Sequence, residues 1–281
     1  MRRIGRREID INSGKQLRVK ASQPKGEIMN KWMIFGITVC FYFLSISGSL
    51  AGNEPFFASS CTGNELKFMF LKQSSVIIKV SNKTILIDPA TSINKDILGK
   101  LERNGLDLLM YTHAHYDHYD YTAAMEIFAA TGAHIVASPE VAKELKRKIP
   151  KEKITVSTHR GKITQSGIDV TAIKGKHIGP IYLYHIAIGD VRIFHGGDSS
   201  YIPLSDYPSD VAFVPTGDPS PTCSPEKAFK MVADLKPQVA VAIHGSSHQN
   251  EQFKTIMQDG LADIALILPS RGEPLSLTLK E

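Results

Sequence analysis

Four candidate metal ligands stand within six residues, directly after an apolar segment. The segment LDLLMYT (106–112) has the composition of a buried strand, and it is followed at once by His113, His115, Asp117 and His118. Imidazole and carboxylate groups suit zinc, iron and manganese. A strand that fixes the backbone, followed by a loop whose alternate side chains converge, would bring these groups to one point. The sequence therefore predicts a metal site at a strand end, with a solvated polar loop as the alternative.

Strand patterns and helical patterns alternate along most of the chain. Three short apolar runs, ELKFMFL, SVIIKV and TILIDP, are separated by polar pairs that are typical of tight turns, and residues 52–64 before them look irregular. Later strand patterns are interrupted by segments with helical spacing, which predict helices at 93–104, 121–132, 139–149, 224–236 and 249–260. Two runs of strands, each followed by βα units, predict an α/β fold with two sheets face to face and helices outside, an αββα four-layer sandwich.

The positive charge of the chain is concentrated at the N-terminus. The formal net charge is +5, but residues 1–31 hold nine Lys or Arg against three acidic residues, a net +6, so that the remainder is near neutral. We therefore expect no nucleic-acid binding by the folded domain. Residues 32–51 carry no charge and end in small residues, which is the order of a secretory signal cleaved after Ala51.

An uncleaved membrane anchor, or a buried helix, would also fit residues 32–51, because about 20 apolar residues can span a bilayer. The predicted division is an N-terminal extension with signal or anchor at 1–51 and a single domain at 52–281. Localisation is predicted as exported, periplasmic or extracellular. Export would permit a disulfide between Cys61 and Cys223, with two free thiols as the alternative.

The hexapeptide HAHYDH (113–118) matches the H-x-H-x-D-H signature of the metallo-β-lactamase superfamily, and the chain resembles that superfamily over most of residues 66–281. Within it, the likeness is closest to small metal-dependent hydrolases related to ascorbate-6-phosphate lactonase. That likeness rests on LIDP, HAHYDHYD, GGD and TGDPSPTCSPEKA followed by LKPQVAVAIHG. It implies the metallo-β-lactamase type of αββα sandwich. One departure is LKQS (71–74), where relatives often carry a Gly-His pair that is thought to line the pocket, so substrate preference could differ.

The resemblance also implies a two-metal site, assigned residue by residue. It gives His113, His115 and His177 to the first ion, Asp117, His118 and His244 to the second, and Asp198 as the bridge. The expected ions are two Zn²⁺, with Mn²⁺ or iron as alternatives. A metal-bound hydroxide would then attack the substrate, with Asp117 taken as the catalytic residue. Asp88 and Asp120 are candidates for orienting the ligand histidines.

Other histidines compete for these assignments. His248 competes with His244, and His185 competes with His177, although its place within a strand pattern favours a packed core histidine. His195 could face the pocket or pack internally. We predict a structural role for His134 and a surface position for His159. Cys223 is not expected to act as a nucleophile, because no separate histidine–acid pair is evident for it.

The predicted function is metal-dependent hydrolysis of an ester-like bond, a lactone, phosphoester or amide, in a small-molecule substrate. The alternative is a non-catalytic metal-binding envelope protein on the same fold; retention of all seven apparent ligands argues against it. β-Lactam hydrolysis remains open because the chain is predicted to be exported. An oxygen-reducing or nitric oxide-reducing diiron role is disfavoured, because such relatives carry an attached flavin domain for which this chain has no room.

Overall fold

The computed structural model describes residues 54–280, and the predictions for residues 1–53, including the signal or anchor at 32–51, lie outside them. Two seven-stranded sheets form the centre. The first sheet contains β1 (Glu65–Lys72), β2 (Ser75–Val80), β3 (Lys83–Ile87), β4 (Leu108–Tyr111), β5 (His134–Ala137), β6 (Ile154–Val156) and β14 (Pro274–Thr278). The second contains β7 (Gly161–Gln165), β8 (Ile168–Lys174), β9 (Tyr182–Ile188), β10 (Val191–His195), β11 (Val211–Pro215), β12 (Val239–Ile243) and β13 (Ala265–Ile267).

The helices are shared between the outer faces of the two sheets. They are α1 (Glu54–Ala58), α2 (Lys95–Asn104), α3 (Tyr121–Thr131), α4 (Pro139–Leu145), α5 (Pro225–Leu235) and α6 (Ser247–Gly260), with a 3-10 turn at Lys151–Lys153. Their starts follow from side-chain caps: Asn94 accepts a hydrogen bond from the backbone N–H of Ile97, and Ser246 with Gln249 forms a capping box.

The two sheets have the same internal organisation. In each, three antiparallel pairings are followed by three parallel pairings, in the orders β14-β1-β2-β3-β4-β5-β6 and β7-β8-β9-β10-β11-β12-β13. The parallel strands read as continuous apolar runs because both of their faces are covered. Val239–Ile243, for example, is buried at every position.

Three apolar layers hold this arrangement together. The central layer lies between the sheets, where the Phe68 ring meets the Phe213 ring edge-on at 5.2 Å. A second layer joins the first sheet to α1–α4, and a third joins the second sheet to α5 and α6. The predicted αββα sandwich is therefore confirmed. Among residues 54–280, no helix combines the length and apolar character needed to cross a bilayer.

Three local predictions were incomplete. Residues 52–64 were expected to be irregular, but Glu54–Ala58 forms α1, and Phe56 and Phe57 are buried against the first sheet. Strand β7 was not predicted, because only one face of it is partly covered and its apolar signal is weak. The helix expected over 139–149 ends at Leu145. Cys61 and Cys223 are both free, buried thiols, so no disulfide joins them.

Candidate metal centre

The predicted ligands all lie on loops that leave strands at one edge of the sandwich. His113, His115, Asp117 and His118 occupy the loop between β4 and α3, whereas His177 follows β8, Asp198 follows β10 and His244 follows β12. Strands β10 and β12 belong to one parallel run, and β8 is antiparallel to β9, as β10 is. The carboxyl ends of β8, β10 and β12 therefore share an edge, where they meet the loop after β4.

Backbone geometry at this edge is unusual. His244 has a φ of 47° and Asp88, directly after β3, has a φ of 48°, although neither residue is glycine. Non-glycine residues in the left-handed region cost free energy and cluster at functional sites. Gly197 has a φ of 58°, and a Cβ there would lie 3.2 Å from Thr112, so a larger residue would crowd the turn that carries Asp198.

One group of donor atoms contains His113, His115, His177 and Asp198. Their ligand atoms all lie within 4.8 Å of one another. His177 Nε2 is 3.1 Å from His115 Nδ1 and 3.3 Å from Asp198 Oδ2, and His113 Nε2 is 3.6 Å from Asp198 Oδ1. Three imidazole nitrogens and a carboxylate thus face a common centre.

A second group contains Asp117, His118 and His244. The Nε2 atoms of His118 and His244 are 3.2 Å apart, and Asp117 Oδ2 lies 3.3 Å from His244 Nε2 and 3.7 Å from His118 Nε2. Asp198 Oδ2 is also 3.6 Å from His118 Nε2 and 3.7 Å from His244 Nε2. Its carboxylate therefore lies between the two groups.

The unsatisfied atoms and the spacing of these two donor groups both fit bound metal ions. His113 Nε2 and Asp198 Oδ1 are buried and have no hydrogen-bond partner, which is costly unless another group satisfies them. Two ligands on a tetrahedral zinc, each about 2.0–2.1 Å from the ion, lie about 3.3 Å apart. The three donor–donor distances given above for each group, from 3.1 to 3.7 Å, scatter around that value.

Asp88 orients one histidine in each group. His118 Nδ1 lies 2.8 Å from Asp88 Oδ2, to which it donates, and the Thr112 hydroxyl donates to the same oxygen at 2.6 Å. The Thr112 hydroxyl then accepts from His113 Nδ1 at 3.0 Å. Because each Nδ1 carries its proton outward, each Nε2 faces the centre. The carboxylate of Asp88 is fully buried and also accepts the backbone N–H of Thr112 at 2.7 Å.

The other two histidines with outward Nδ1 atoms are oriented by neighbouring loops. His177 Nδ1 donates to the Thr222 hydroxyl at 2.9 Å, and that hydroxyl donates to the backbone carbonyl of Asp198 at 3.2 Å. His244 Nδ1 donates to the carbonyl of Gly217 at 3.1 Å. Such outer contacts fix the tautomer and ring orientation of metal-binding histidines.

The comparison with known proteins agrees with this geometry. Residues 67–244 match the family model described as the β-lactamase superfamily domain. A UPF0173 metal-dependent hydrolase of Thermococcus kodakarensis is 31% identical over 233 residues, which cover 75% of this chain and all of the relative. The chain belongs to the metallo-β-lactamase superfamily. It is thus a member of a superfamily that contains metal-dependent hydrolases.

One further sequence comparison agrees with this membership, and one structural comparison agrees with the fold. A UPF0173 metal-dependent hydrolase of Staphylococcus aureus is 26% identical over 233 residues, covering 74% of this chain and 99% of the relative. The structure of Igni18, a metallo hydrolase from Ignicoccus hospitalis, superimposes with a TM-score of 0.66 at 22% identity, covering 77% of this chain and all of that one. The last likeness concerns the fold. The narrower resemblance to ascorbate-6-phosphate lactonase stays a prediction.

The charges around the superfamily motif are set by burial and by neighbouring groups. Burial and the nearby His118 lower the pKa of His113 to about 3, so its ring is neutral and can bind a cation. Burial opposes ionisation of Asp117, but the contact with His244 and the charge on His118 lower its pKa to about 2. The pKa of Asp198 lies well below its usual range for similar reasons. Neutral imidazoles and ionised carboxylates are the forms that bind metals.

His118 is the exception, because its pKa is raised. This raised pKa predicts that metal binding releases a proton. Burial lowers its pKa, but the carboxylates of Asp88 and Asp198 outweigh burial and raise the pKa to about 10. Without a metal ion, His118 is therefore protonated at pH 7, and binding through Nε2 must displace that proton. We expect uptake of Zn²⁺ at pH 7 to release about one proton from His118. Calorimetry in buffers of different ionisation enthalpy measures this number; heats that do not depend on the buffer would contradict the assignment.

The competing histidines lie elsewhere. His248 is exposed on α6 and His159 is exposed on a loop, as predicted for the latter. His185 was expected to pack in the core, but it is only half-buried, because its strand position faces outward, and it contacts the Pro208 carbonyl at 3.1 Å. His134 contacts the Thr155 hydroxyl at 2.8 Å, in a structural role.

His195, left open between pocket and packing, is fully buried and structural. Its Nε2 donates to the carbonyl of Ser74 at 2.9 Å, and its Nδ1 accepts the Gly197 N–H at 3.2 Å. The Ser74 hydroxyl in turn donates to the Gly197 carbonyl at 2.8 Å. His195 therefore ties the β1–β2 turn to the loop that carries Asp198.

The two aspartates predicted to orient the ligand histidines, Asp88 and Asp120, differ in what they contact. Asp88 contacts the ligand histidines as described, whereas Asp120 does not: its side chain accepts the Ala123 N–H at 2.8 Å and caps α3. The sequence reasoning missed Thr112 and Thr222. A hydroxyl residue next to a ligand-bearing strand end was the available signal for Thr112; for Thr222, which lies 45 residues from its partner His177, no local signal exists.

Proposed function

We propose that this chain hydrolyses an ester-like bond in a small-molecule substrate, using two divalent metal ions held by five histidines and two aspartates. One observation carries the proposal: the buried nitrogen of His113 and the buried oxygen of Asp198 face the centre without a partner. A cation in the first group would satisfy both atoms, and a cation in each group would be held between the nitrogen pairs that lie 3.1 and 3.2 Å apart. A protein that used the fold only as a scaffold would have no need to keep these atoms unsatisfied.

Each side chain has a role in this proposal. His113, His115 and His177 hold one ion, and His118 and His244 hold the other with Asp117, while Asp198 is shared. When bound, such ions lower the pKa of water and polarise the bond to be cleaved. Asp117 is ionised and half-buried, at the side where water enters, so its carboxylate can also accept a proton from the attacking water.

The ligand chemistry favours zinc. Imidazole nitrogens and carboxylate oxygens at these spacings form the sites that Zn²⁺ occupies in hydrolases, with Mn²⁺ or iron as the alternatives. The lactone, phosphoester and amide classes all suit such a centre, because the fold does not select the bond. Substrate choice therefore depends on the loops around the opening.

Metal content and hydrolysis measured on the same samples test the proposal. We expect the full chain to hold about two equivalents of metal and to hydrolyse at least one member of a panel of lactones and a chromogenic phosphodiester. Asp117→Ala should hold about one equivalent and lose activity by at least about 100-fold, since the loss of an outer-sphere partner alone costs 10- to 100-fold.

Asp190→Ala is the matched control, because Asp190 is exposed in the turn between β9 and β10, at the opposite end of β10 from Asp198. It should keep both the metal and the activity of the unmodified chain. Little metal and no hydrolysis in the unmodified chain would contradict the proposal and favour the non-catalytic alternative. Two equivalents of metal without hydrolysis of any panel member would contradict the substrate class while keeping the metal assignment.

A further inference from the structure

The burial of the ligands shows where the metal centre opens. His113, His118, Asp198 and His244 are buried, with relative exposures of 3% or less, and the side chain of His177 is 1% exposed, whereas His115 and Asp117 are half-buried. Water and substrate must therefore approach from the side of His115 and Asp117. This side, which we call the mouth, is formed by the loop after β4, and the exposed residues 178–180 of the loop after β8 follow His177, whose Nε2 is 3.1 Å from His115 Nδ1.

Two large apolar side chains are exposed on the loops beside the mouth. Tyr116 is 83% exposed and Ile178 is 62% exposed, and they are the large hydrophobic residues that stand out in this way among residues 54–280. Tyr116 lies between His115 and Asp117 in the chain, and Ile178 follows His177. Neighbouring Cα atoms are 3.8 Å apart, so each apolar side chain begins within one residue of a proposed ligand of the same centre.

The backbone around both side chains is fixed by hydrogen bonds. The His115 carbonyl accepts from the N–H groups of His118 at 3.0 Å and Tyr119 at 2.8 Å. On the other loop, the backbone N–H of Lys176 donates to the Ser199 hydroxyl at 2.9 Å, and the Lys176 carbonyl accepts from Ser200 N–H at 2.7 Å. The two apolar groups are therefore held in place beside the ligands rather than carried on loose segments.

Small uncharged residues lie near them on both loops, although Tyr116 itself stands between His115 and Asp117, and the exposed Lys176 lies two residues before Ile178. Ala114, Gly179 and Pro180 are exposed on the same two loops, and none of them carries a charge. A single exposed apolar residue needs no explanation. Two of them, on separate loops and each adjacent to a ligand of the same centre, are expected where a site must bind the apolar part of a ligand.

We infer that Tyr116 and Ile178 form an apolar lip that binds a hydrocarbon chain or aromatic group next to the bond being cleaved. The substrate would then have a polar, hydrolysable end that reaches the metal centre and an apolar end that lies against the lip. This inference rests on the proposed function, because the lip acts on whatever molecule the centre binds.

Binding of alkyl hydroxamates tests the lip without requiring turnover. Hydroxamates chelate zinc through the head group, and acetyl, butanoyl and hexanoyl hydroxamates differ only in chain length. For the zinc-loaded full chain, we expect affinity to rise about twofold per methylene, half of the free energy of full burial, so about 16-fold from acetyl to hexanoyl. Isothermal titration calorimetry measures each dissociation constant.

Substitutions of the lip provide the matched comparison. In the double variant Tyr116→Ser with Ile178→Ser, the gain from acetyl to hexanoyl should fall below about threefold, while Tyr116→Phe with Ile178→Leu should retain it, because burial of apolar area drives the gain. Both side chains are mostly exposed, so the core does not depend on them. Zinc content, measured on each variant, shows that the centre remains loaded.

The outcomes separate the lip from the metal centre. Absence of zinc and of acetohydroxamate binding would overturn the proposed function itself. Binding of acetohydroxamate with no gain on lengthening the chain would overturn the lip and leave the function standing. A further arm measures sedimentation with phosphatidylcholine vesicles: binding that depends on Tyr116 and Ile178, without a gain along the hydroxamate series, would assign these side chains to a membrane surface and also overturn the inference.

Discussion

Replacing Asp198 by asparagine is expected to leave the chain folded but unable to hold either metal ion. Asp198 is the only described residue whose carboxylate approaches both donor groups: one oxygen is 3.6 Å from His113 Nε2, and the other is 3.3 Å from His177 Nε2 and 3.6 Å from His118 Nε2. Asparagine keeps the shape but removes the negative charge and one of the two acceptor oxygens. Its amide nitrogen would also point donors at a cation.

The expected loss is larger for this residue than for the others. Removal of an outer-sphere partner typically costs 10- to 100-fold in metal affinity or activity, so loss of a shared ligand should cost at least about 10³-fold in hydrolysis. Metal content should fall from about two equivalents to near zero. Asp117→Ala, which affects one group, should by contrast retain about one equivalent.

The fold provides a control for this substitution. The backbone carbonyl of Asp198 accepts hydrogen bonds from the Ser220 and Thr222 hydroxyls and from the Cys223 thiol, and none of these contacts uses the carboxylate. Asp198→Asn should therefore still fold, with a Tm below that of the unmodified, metal-stripped chain because it removes a charge partner of His118, and Asp190→Asn should behave as the unmodified chain throughout. Two equivalents of metal in Asp198→Asn would show that the shared carboxylate is not a ligand.

The fold was largely predictable because its apolar pattern has few alternatives. Segments such as Val239–Ile243 are apolar at every position, which is typical of strands covered on both faces, and polar pairs such as Gln73-Ser74 separate neighbouring strands. The exceptions were elements whose stability comes from distant partners. Glu54–Ala58 forms a helix although five residues are too few for an independent one, and its Phe56 and Phe57 are buried in the layer outside the first sheet.

The placement of the site could be predicted where the ligands are local in sequence. Within six residues the sequence shows four candidate ligands, His113, His115, Asp117 and His118. It could not, however, eliminate His185 as a rival of His177. The difference is one of strand geometry: His177 lies beyond the end of β8, at the shared edge, whereas His185 lies inside β9 and faces outward to Pro208. Only the pairing of these strands reveals that distinction.

Asp88 and Asp120 also show that closeness in the sequence does not predict contact in the fold. Asp120 lies two residues after His118, yet its carboxylate caps α3. Asp88 lies 30 residues before His118, yet it contacts His118 at 2.8 Å because β3 and β4 are parallel neighbours whose carboxyl ends coincide. Proximity in the sequence therefore favours the wrong aspartate, and sheet topology selects the right one.

Asp88→Asn should weaken metal binding and lower the stability of the metal-free chain together. The carboxylate accepts from His118 Nδ1 and, through the Thr112 hydroxyl, sets the orientation of His113, so one substitution disturbs a ligand in each group. We expect zinc affinity to fall by about 10- to 100-fold, as for other outer-sphere partners. Competition with a chromogenic chelator measures this affinity.

The stability effect has a defined pH dependence. The pKa of His118 is raised to about 10, so its pairing with Asp88 stabilises the folded metal-free chain fully below the unfolded histidine pKa of about 6.5 and is lost as pH rises through about 10. The pKa of Asp88 is lowered: burial opposes this, but the facing His118 outweighs it. Its contribution is therefore present above about pH 4 and is lost on further acidification.

Near pH 6, where both groups are charged, Asp88→Asn should cost about 3 kcal/mol in the free energy of unfolding, the lower end for breaking a buried ion pair. For a domain of this size, that corresponds to a fall in Tm of about 6–12 °C. The difference between variant and unmodified chain should shrink above pH 10, because His118 is then neutral in both.

Asp107→Asn is the matched control. Asp107 also accepts a backbone N–H from a neighbouring strand, that of Thr84 at 2.9 Å, but it lies outside the centre. If Asp107→Asn weakened zinc binding as much as Asp88→Asn, the effect would reflect general destabilisation, whereas a loss confined to Asp88→Asn requires the orienting contacts with His118 and His113.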